Sequence, residues 1–383
     1  MFEVQIKDMI QRYTIKEVNR PHPLQVVSAN DFRIEEAGEI EPEVVLCDPR
    51  FSLYCFDLEK NAAVFVEVAD SKAVDHAPFY YQAQIDHAVG LVSMPMETFH
   101  SMAREIAEPA DGLIFIHSTG RCGSTLLSKA LQAVPSVHSL SEPDDMTQLV
   151  LFRSDCLVPD DWLRSTISSS IKWRFKARSE DAASRVAIKT RAEVMGLSDL
   201  ITSSIGPAKH LFLYRDGISW VRSVFQGKLG DGVLDDPKQN RDMEERWSHT
   251  LPMIREYRRE DTPMNPIQIR ILSWITAMEA YLSLRETGVP ICAARFEDIT
   301  SHSIPMLKQI FSFCGIDGVN WDEVGMVLGR DSQAGTVFDR EERRKFHREL
   351  PDSFVSDARE MIAGRTLLRT SDVVLPGTVS LPT

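Results

Sequence analysis

The sequence predicts an α/β protein: a doubly wound parallel sheet with helices on both faces, preceded by a small α+β module. Three observations predict it. From Gly112 onward, short apolar runs recur at 113–117, 186–189, 210–214 and 290–296. Near-continuous hydrophobicity over so few residues suits strands covered on both faces. Helical segments alternate with them at 123–133, 161–176, 193–203, 217–225, 243–259 and 267–286, the order expected of a parallel sheet. Finally, the run at 113–117 passes through a turn of small residues straight into a helix.

Residues 1–110 read differently. The stretches 43–47, 52–57 and 62–68 are short and rich in β-formers, and the last two flank a hairpin loop at 58–61. Helical stretches at 80–89 and 96–106 follow. We therefore expect two units, an accessory module over 1–110 and the α/β domain over 111–383. Nothing in the module looks catalytic: His76, His87 and His100 stand at no metal-ligand spacing.

Composition narrows the classes of function. With 43% apolar and 26% charged residues in 383, the chain can bury a sizeable core and is not disordered as a whole. Acidic residues outnumber basic ones 56 to 43, a net charge of −13, which argues against non-specific binding to nucleic acid or to an anionic membrane. The six cysteines are scattered with no CxxC pair, the usage of a reducing compartment. The N-terminus has no signal-peptide core, and the most apolar helical stretch, at 267–284, carries Arg270 and Glu279. A cytoplasmic protein is expected. Residues 226–241 are rich in Gly and Asp and read as a loop or lid. The tail beyond Ser371 reads as peripheral. Oligomeric state is not legible.

The most informative segment is LIFIHSTGRCGSTLL at 113–127. A buried strand, a small-residue turn and a helix start aim backbone N–H groups and the positive helix end at one point, which suits a phosphate. Gly120 and Gly123 allow close approach, Ser124 and Thr125 offer hydroxyls, and Arg121 adds fixed charge. A nucleotide triphosphatase loop would read GxxxxGK[ST]; here the spacing differs and the Lys is missing, which disfavours Mg–ATP chemistry. A second strand-to-helix turn lies at 210–223, with Arg215 at the strand end and Ser223 eight residues later. Two anion sites on the carboxyl edge of one parallel sheet can grip both ends of a doubly phosphorylated nucleotide.

The segment TGRCGSTLL at 119–127 resembles the 5′-phosphosulfate loop of sulfotransferases that use 3′-phosphoadenosine 5′-phosphosulfate (PAPS), in the Arg-containing form of tyrosylprotein and many bacterial members. The resemblance extends to Arg215 and Ser223, since the family's 3′-phosphate site is a strand-end Arg followed by a Ser at this spacing; it departs at Gly217, where the family usually has Pro. It covers roughly residues 112–340 and implies a P-loop-type α/β fold. Thr119, Gly120, Arg121, Cys122, Gly123, Ser124 and Thr125 would then hold the phosphosulfate, and Arg215 and Ser223 the 3′-phosphate. In the loop at 329–336, Ser332 would bond the phosphosulfate and Arg330 would reach the 3′-phosphate.

Sulfuryl transfer is an in-line displacement that needs a base for the acceptor proton and cations at the leaving phosphate. Glu142 follows a short apparent strand at 136–140 and would emerge on the same edge as Arg121. A Glu similarly placed is the proposed base in the tyrosylprotein enzymes. His138 is a rival base inside that strand. Lys189-Thr190-Arg191 is similar to the Lys-Thr-His of cytosolic sulfotransferases, but Arg191 replaces the His that acts there as base, which strengthens Glu142. Lys189 would stabilise the leaving oxygen or orient the acceptor. No HExxH, paired Cys or dense acidic triad is visible, in keeping with transfer that needs no metal. The expected activity is sulfuryl transfer from PAPS to a small or neutral hydroxyl acceptor, with an amine as second choice. A P-loop kinase of a small molecule and a non-catalytic nucleotide-binding or interaction protein are the rivals.

Overall fold

The computed structural model describes residues 9–108, 111–176, 184–225, 236–334, 336, 339 and 350–381. Ten strands in the described residues form two five-stranded sheets. The second is the predicted parallel sheet: β6 (Gly112–Ser118), β7 (Val137–Ser141), β8 (Arg185–Lys189), β9 (Ala208–Tyr214) and β10 (Ile291–Arg295). Its order is β10-β9-β6-β8-β7, with every pairing parallel. All five strands therefore end on one edge. The chain starts in the middle at β6, fills one side with β7 and β8, then crosses to β9, so the strand order reverses at β6. Such reversals open a crevice beyond the carboxyl ends of the strands.

The strands are short and nearly all buried, as the apolar runs require: Ile114, Phe115, Ile116, Ala187, Ile188, Phe212 and Leu213 are at most 1% exposed. Two histidines interrupt this core. His117 of β6 and His210 of β9 stack with ring centroids 5.4 Å apart, and His117 Nε2 lies 3.1 Å from His210 Nδ1. Burial lowers the pKa of both, that of His210 to about 4, so the pair is held neutral.

The first sheet is an antiparallel array, β2-β1-β5-β4-β3, of β1 (Ile10–Val18), β2 (Phe32–Ile40), β3 (Phe51–Asp57), β4 (Ala62–Val68) and β5 (Ala88–Pro95). β3 and β4 are the expected hairpin, with Asn61 at φ +49 in its loop. β1, β2 and β5 were not legible: β1 and β2 carry charged residues through their length, β2 is mostly exposed and β1 is about half so. The stretch 43–47, expected as a strand, is instead the helix Pro42–Cys47. Pro42 opens it with a φ already suited to the first turn, and Val45 is buried while Val44 stays exposed.

Two helical expectations and one loop expectation also change. The stretch 193–203 divides into a 3₁₀ helix, Ala192–Leu197, and an α-helix, Ser198–Ser204. The stretch 243–259 divides into Pro237–Ser248 and Met253–Tyr257, broken before Pro252, whose ring removes a helical donor. Of the expected loop at 226–241, residues 226–235 lie outside the described residues, and Asp236 caps the helix that begins at Pro237. The long helix Pro266–Glu286 starts from an Asn265–Gln268 capping box. No described helix is long and apolar enough to cross a membrane.

The two sheets share a core. One hydrophobic cluster joins Phe51, Phe65 and Phe99 of the N-terminal part to Phe115, Leu149 and Ile188 of the α/β part.

Candidate active site

The carboxyl edge of the parallel sheet collects most of the predicted residues. β6 runs into the loop at 119–123, Glu142 follows β7, Lys189 ends β8 and Arg215 follows β9. β10 runs into Phe296, to which the sequence alone assigns no role.

The loop after β6 is bent by three positive φ angles: Gly120 at +73, Arg121 at +53 and Gly123 at +83. It is pinned from outside. Trp220 Nε1 donates to the carbonyls of Thr119 (2.8 Å) and Gly120 (2.9 Å), and the Thr119 amide donates to Leu213 O at 3.0 Å. The Cys122 thiol points into the core, 3.2 Å from Leu213 O, where burial pushes its pKa up. Cys122 thus has only its backbone to offer a ligand. The helix Ser124–Gln132 begins at Gly123 with no side chain capping it, so its first-turn N–H groups remain for an anion. A Cβ on Gly123 would lie 3.3 Å from the Phe296 ring, which ties the loop to β10.

Glu142 and Lys189 face each other. Lys189 Nζ donates to Glu142 Oε1, and the Glu142 amide donates to Lys189 O at 2.6 Å. The lysine side chain is 3% exposed and the glutamate 15%, so the ammonium is sealed in while the carboxylate reaches the surface. Glu142 holds a φ of +61. Non-glycine residues rarely adopt this conformation, and strain of this kind collects at functional sites. Only five non-glycine residues show it among those described, and Arg121 and Glu142 are two of them. His138 stands inside β7, opposite Val186, short of the edge. Arg191, where the cytosolic family has His, bonds Asp144 Oδ1 at 3.0 Å and lies over the Tyr81 ring. Burial pushes the Asp144 carboxyl up to about 6, against the pull of Arg191.

Arg215 lies with its guanidinium 4.6 Å from the centre of the Phe296 ring. Phe296 therefore stands between Gly123 and Arg215 and joins the two anion-suited turns. Arg215 Nε and Arg295 Nε are buried without a hydrogen bond, and Glu297 lies 3.9 and 3.3 Å from them. Buried donors left unpaired call for a ligand or another explanation, and Glu297 answers part of their charge. Burial lowers the Arg215 pKa, with Glu297 acting against it. Ser223 sits in the last turn of the helix Gly217–Phe225, six residues or about 9 Å along the axis from Gly217. Gly217 itself has a reason. Its amide donates to Ser371 O at 2.8 Å, which Pro could not do, and a Cβ there would come within 3.0 Å of Ile362 Cδ1.

The loop after the helix Trp321–Leu328 reaches the edge through a residue not anticipated: Arg121 Nη1 donates to Gln333 Oε1 at 3.2 Å. Arg330 is exposed and Ser332 half-buried on that same loop. Gln333, Phe296, Arg295 and Trp220 were the residues missed. Of these, only Phe296 carried a signal, as the last residue of the apolar run at 290–296.

A cavity of about 320 Å³ is lined by residues further along the chain from the pair, and neither Glu142 nor Lys189 is among them. Its walls include Val150, Met195, Trp247, Leu251 and Thr276, with Glu193 at its border. Val150 comes from the helix Asp145–Ser154, which begins three residues after Glu142, and Met195 from the segment that follows Lys189.

No family model matches the chain, and a search of curated proteins returns no match. Among solved structures it is similar to a sulfotransferase domain from the curacin biosynthetic pathway, with 16% identity and a TM-score of 0.39 over 65% of this chain and 97% of that one. It is also similar to the sulfotransferase domain of the Synechococcus olefin synthase, with 15% identity and a TM-score of 0.35 over 67% and 96%. A third match is a sulfotransferase from Mycobacterium tuberculosis, with 13% identity and a TM-score of 0.40 over 63% and 78%.

Proposed function

We propose that the chain is a sulfotransferase that moves a sulfuryl group from PAPS to a hydroxyl acceptor. The observation that carries this reading is the single edge on which two anion-suited turns, joined by Phe296, lie beside a buried Lys189–Glu142 pair. A nucleotide with phosphates at both ends accounts for both turns; a triphosphate accounts for one. The loop at 119–125 would take the 5′-phosphosulfate, with Arg121 and the uncapped helix start as its positive partners. Arg215 would take the 3′-phosphate, and its unpaired buried Nε supports that role.

In the reaction, Glu142 accepts the acceptor's hydroxyl proton as that oxygen bonds to sulfur. The bond from sulfur to the bridging oxygen breaks, and its electron pair stays on the 5′-phosphate of 3′,5′-ADP. Lys189 and Arg121 stabilise that developing charge, the larger part of catalysis in transfers of this type. Glu142 and Lys189 neutralise each other at rest, so acceptor and leaving oxygen have to enter between them. A small or neutral acceptor is in keeping with a net charge of −13 that repels polyanions.

Calorimetry with 3′,5′-ADP, Mg–ATP and AMP tests the reading. Tight binding of 3′,5′-ADP without metal, and not of the other two, is expected. Preference for Mg–ATP would favour a kinase and leave Arg215 without its role. No binding by any of the three would point to a non-catalytic protein.

A further inference from the structure

The N-terminal module touches the parallel sheet at a telling place. Ser141 Oγ donates to Pro78 O at 2.6 Å, and the Val27 amide donates to Asp144 Oδ2 at 3.0 Å. Arg191 Nη2 donates to Leu24 O at 2.9 Å, and its guanidinium lies 5.3 Å from the Tyr81 ring centre. The Phe79 ring centre is 5.8 Å from Lys189 Nζ. Every one of these contacts lands on Lys189 or within two residues of Glu142 or Lys189. The module also packs on the domain elsewhere, through Phe56 on Gln148 and Phe99 on Trp173, but this group of contacts borders the two candidate catalytic groups.

Phe79 is the member that reaches the pair itself. It is 7% exposed and sits at the N-terminal end of the helix Tyr80–Asp86, with its ring stacked on Tyr81 at 6.2 Å. An aromatic face near an ammonium attracts it, more strongly where water is kept out. Lys189 ends its strand with a long flexible stem, and without a second contact its ammonium could swing away from Glu142.

We propose that Phe79 is a positioning residue of the candidate site: the N-terminal module supplies a ring that holds the Lys189 ammonium against Glu142 and screens the pair from water. The module is then one wall of the active site, a role that rests on the sulfotransferase reading for its catalytic meaning but not for its geometry.

The test is the rate at which acetic anhydride labels Lys189 in the intact protein, read by peptide mass spectrometry against the exposed Lys60 and Lys72. Phe79→Leu keeps an apolar side chain and removes the ring, Phe79→Ala opens the site, and Phe79→Trp and Phe79→Tyr restore an aromatic face. In the wild type, Lys189 should label far more slowly than the two standards. Phe79→Leu and Phe79→Ala should raise its rate about tenfold, the equivalent of losing one desolvated cation–π contact, while Trp and Tyr keep it near wild type. Should Phe79→Ala fail to fold, Phe79→Leu decides. Wild-type labelling of Lys189 in folded Phe79→Leu overturns the proposal, and so does a rise in all four variants, which would mark simple packing. Binding of 3′,5′-ADP by the wild type is measured alongside: its absence would count against the proposed reaction while leaving the labelling result to judge the clamp.

Discussion

The Lys189–Glu142 pair makes an asymmetric stability forecast. Lys189 is 3% exposed and Glu142 15%, so the two do not lose equally when orphaned. Glu142→Gln leaves an ammonium with little access to water. Breaking a buried pair this way costs about 3 kcal/mol, the low end of the range because Gln can still accept a hydrogen bond. Lys189→Met leaves a carboxylate that reaches solvent, and costs about 1–2 kcal/mol. The double variant replaces the pair with neutral groups of similar length and should return to within about 1 kcal/mol of wild type. For 383 residues the unfolding entropy is about 0.8 kcal/mol/K, so the melting temperature should fall about 4 °C for Glu142→Gln and about 2 °C for Lys189→Met. Thermal melts of the four proteins by circular dichroism measure this. Activity should not follow stability: the double variant should remain about 10²–10⁴-fold slower than wild type, because the proposed base is gone. A Lys189→Met that melts below Glu142→Gln, or a double variant that melts at the sum of the singles, would refute the argument from burial.

Three further outcomes are expected. Arg121→Ala should lower sulfuryl transfer by at least about 10²-fold, the scale of losing one preorganised charge partner, with an unchanged circular dichroism spectrum; a normal rate would remove the loop from the chemistry. Arg215→Ala should weaken calorimetric binding of 3′,5′-ADP far more than that of AMP, and equal losses would move the 3′-phosphate site elsewhere. The neutral His117–His210 pair should give an acid limb. Both histidines have folded pKa values below the unfolded value near 6.5, His210 at about 4, so the unfolded chain binds protons first as pH falls. Their stabilisation is complete above pH 6.5 and is lost toward pH 4, at about 1.4 kcal/mol per pH unit for each. The difference between urea melts of wild type and of the His117→Phe/His210→Phe variant should show that slope, and parallel curves would contradict it.

Much of the fold was legible because its signals are local. Strands buried on both faces must be apolar throughout, so β6, β8, β9 and β10 announced themselves within a residue or two. The turn after β6 needs Gly120 and Gly123 for its positive φ angles, and Gly, Arg and hydroxyl residues between a strand and a helix can be read in order along the chain. Arg215 at a strand end was legible for the same reason. Where a segment has two faces with different neighbours, the signal weakened: β1 and β2 are strands by virtue of pairing and not of composition, and 43–47 became a helix behind Pro42 although its residues favour strands.

Which side chains meet was decided only by the tertiary structure. Lys189 and Glu142 are 47 residues apart and meet because β7 and β8 are neighbours in register, Ser141 beside Lys189. Arg121 and Gln333 are 212 apart. Phe296 comes between Gly123 and Arg215 because β10 and β6 both flank β9, and Phe79 reaches Lys189 because the cluster that holds it also packs on Leu140 of β7, the strand beside β8. Propensity and turn chemistry act between near neighbours, so one chain's residues spell out its strands and turns. Strand order and register bring distant residues together, and these are set by how the whole chain buries its apolar surface.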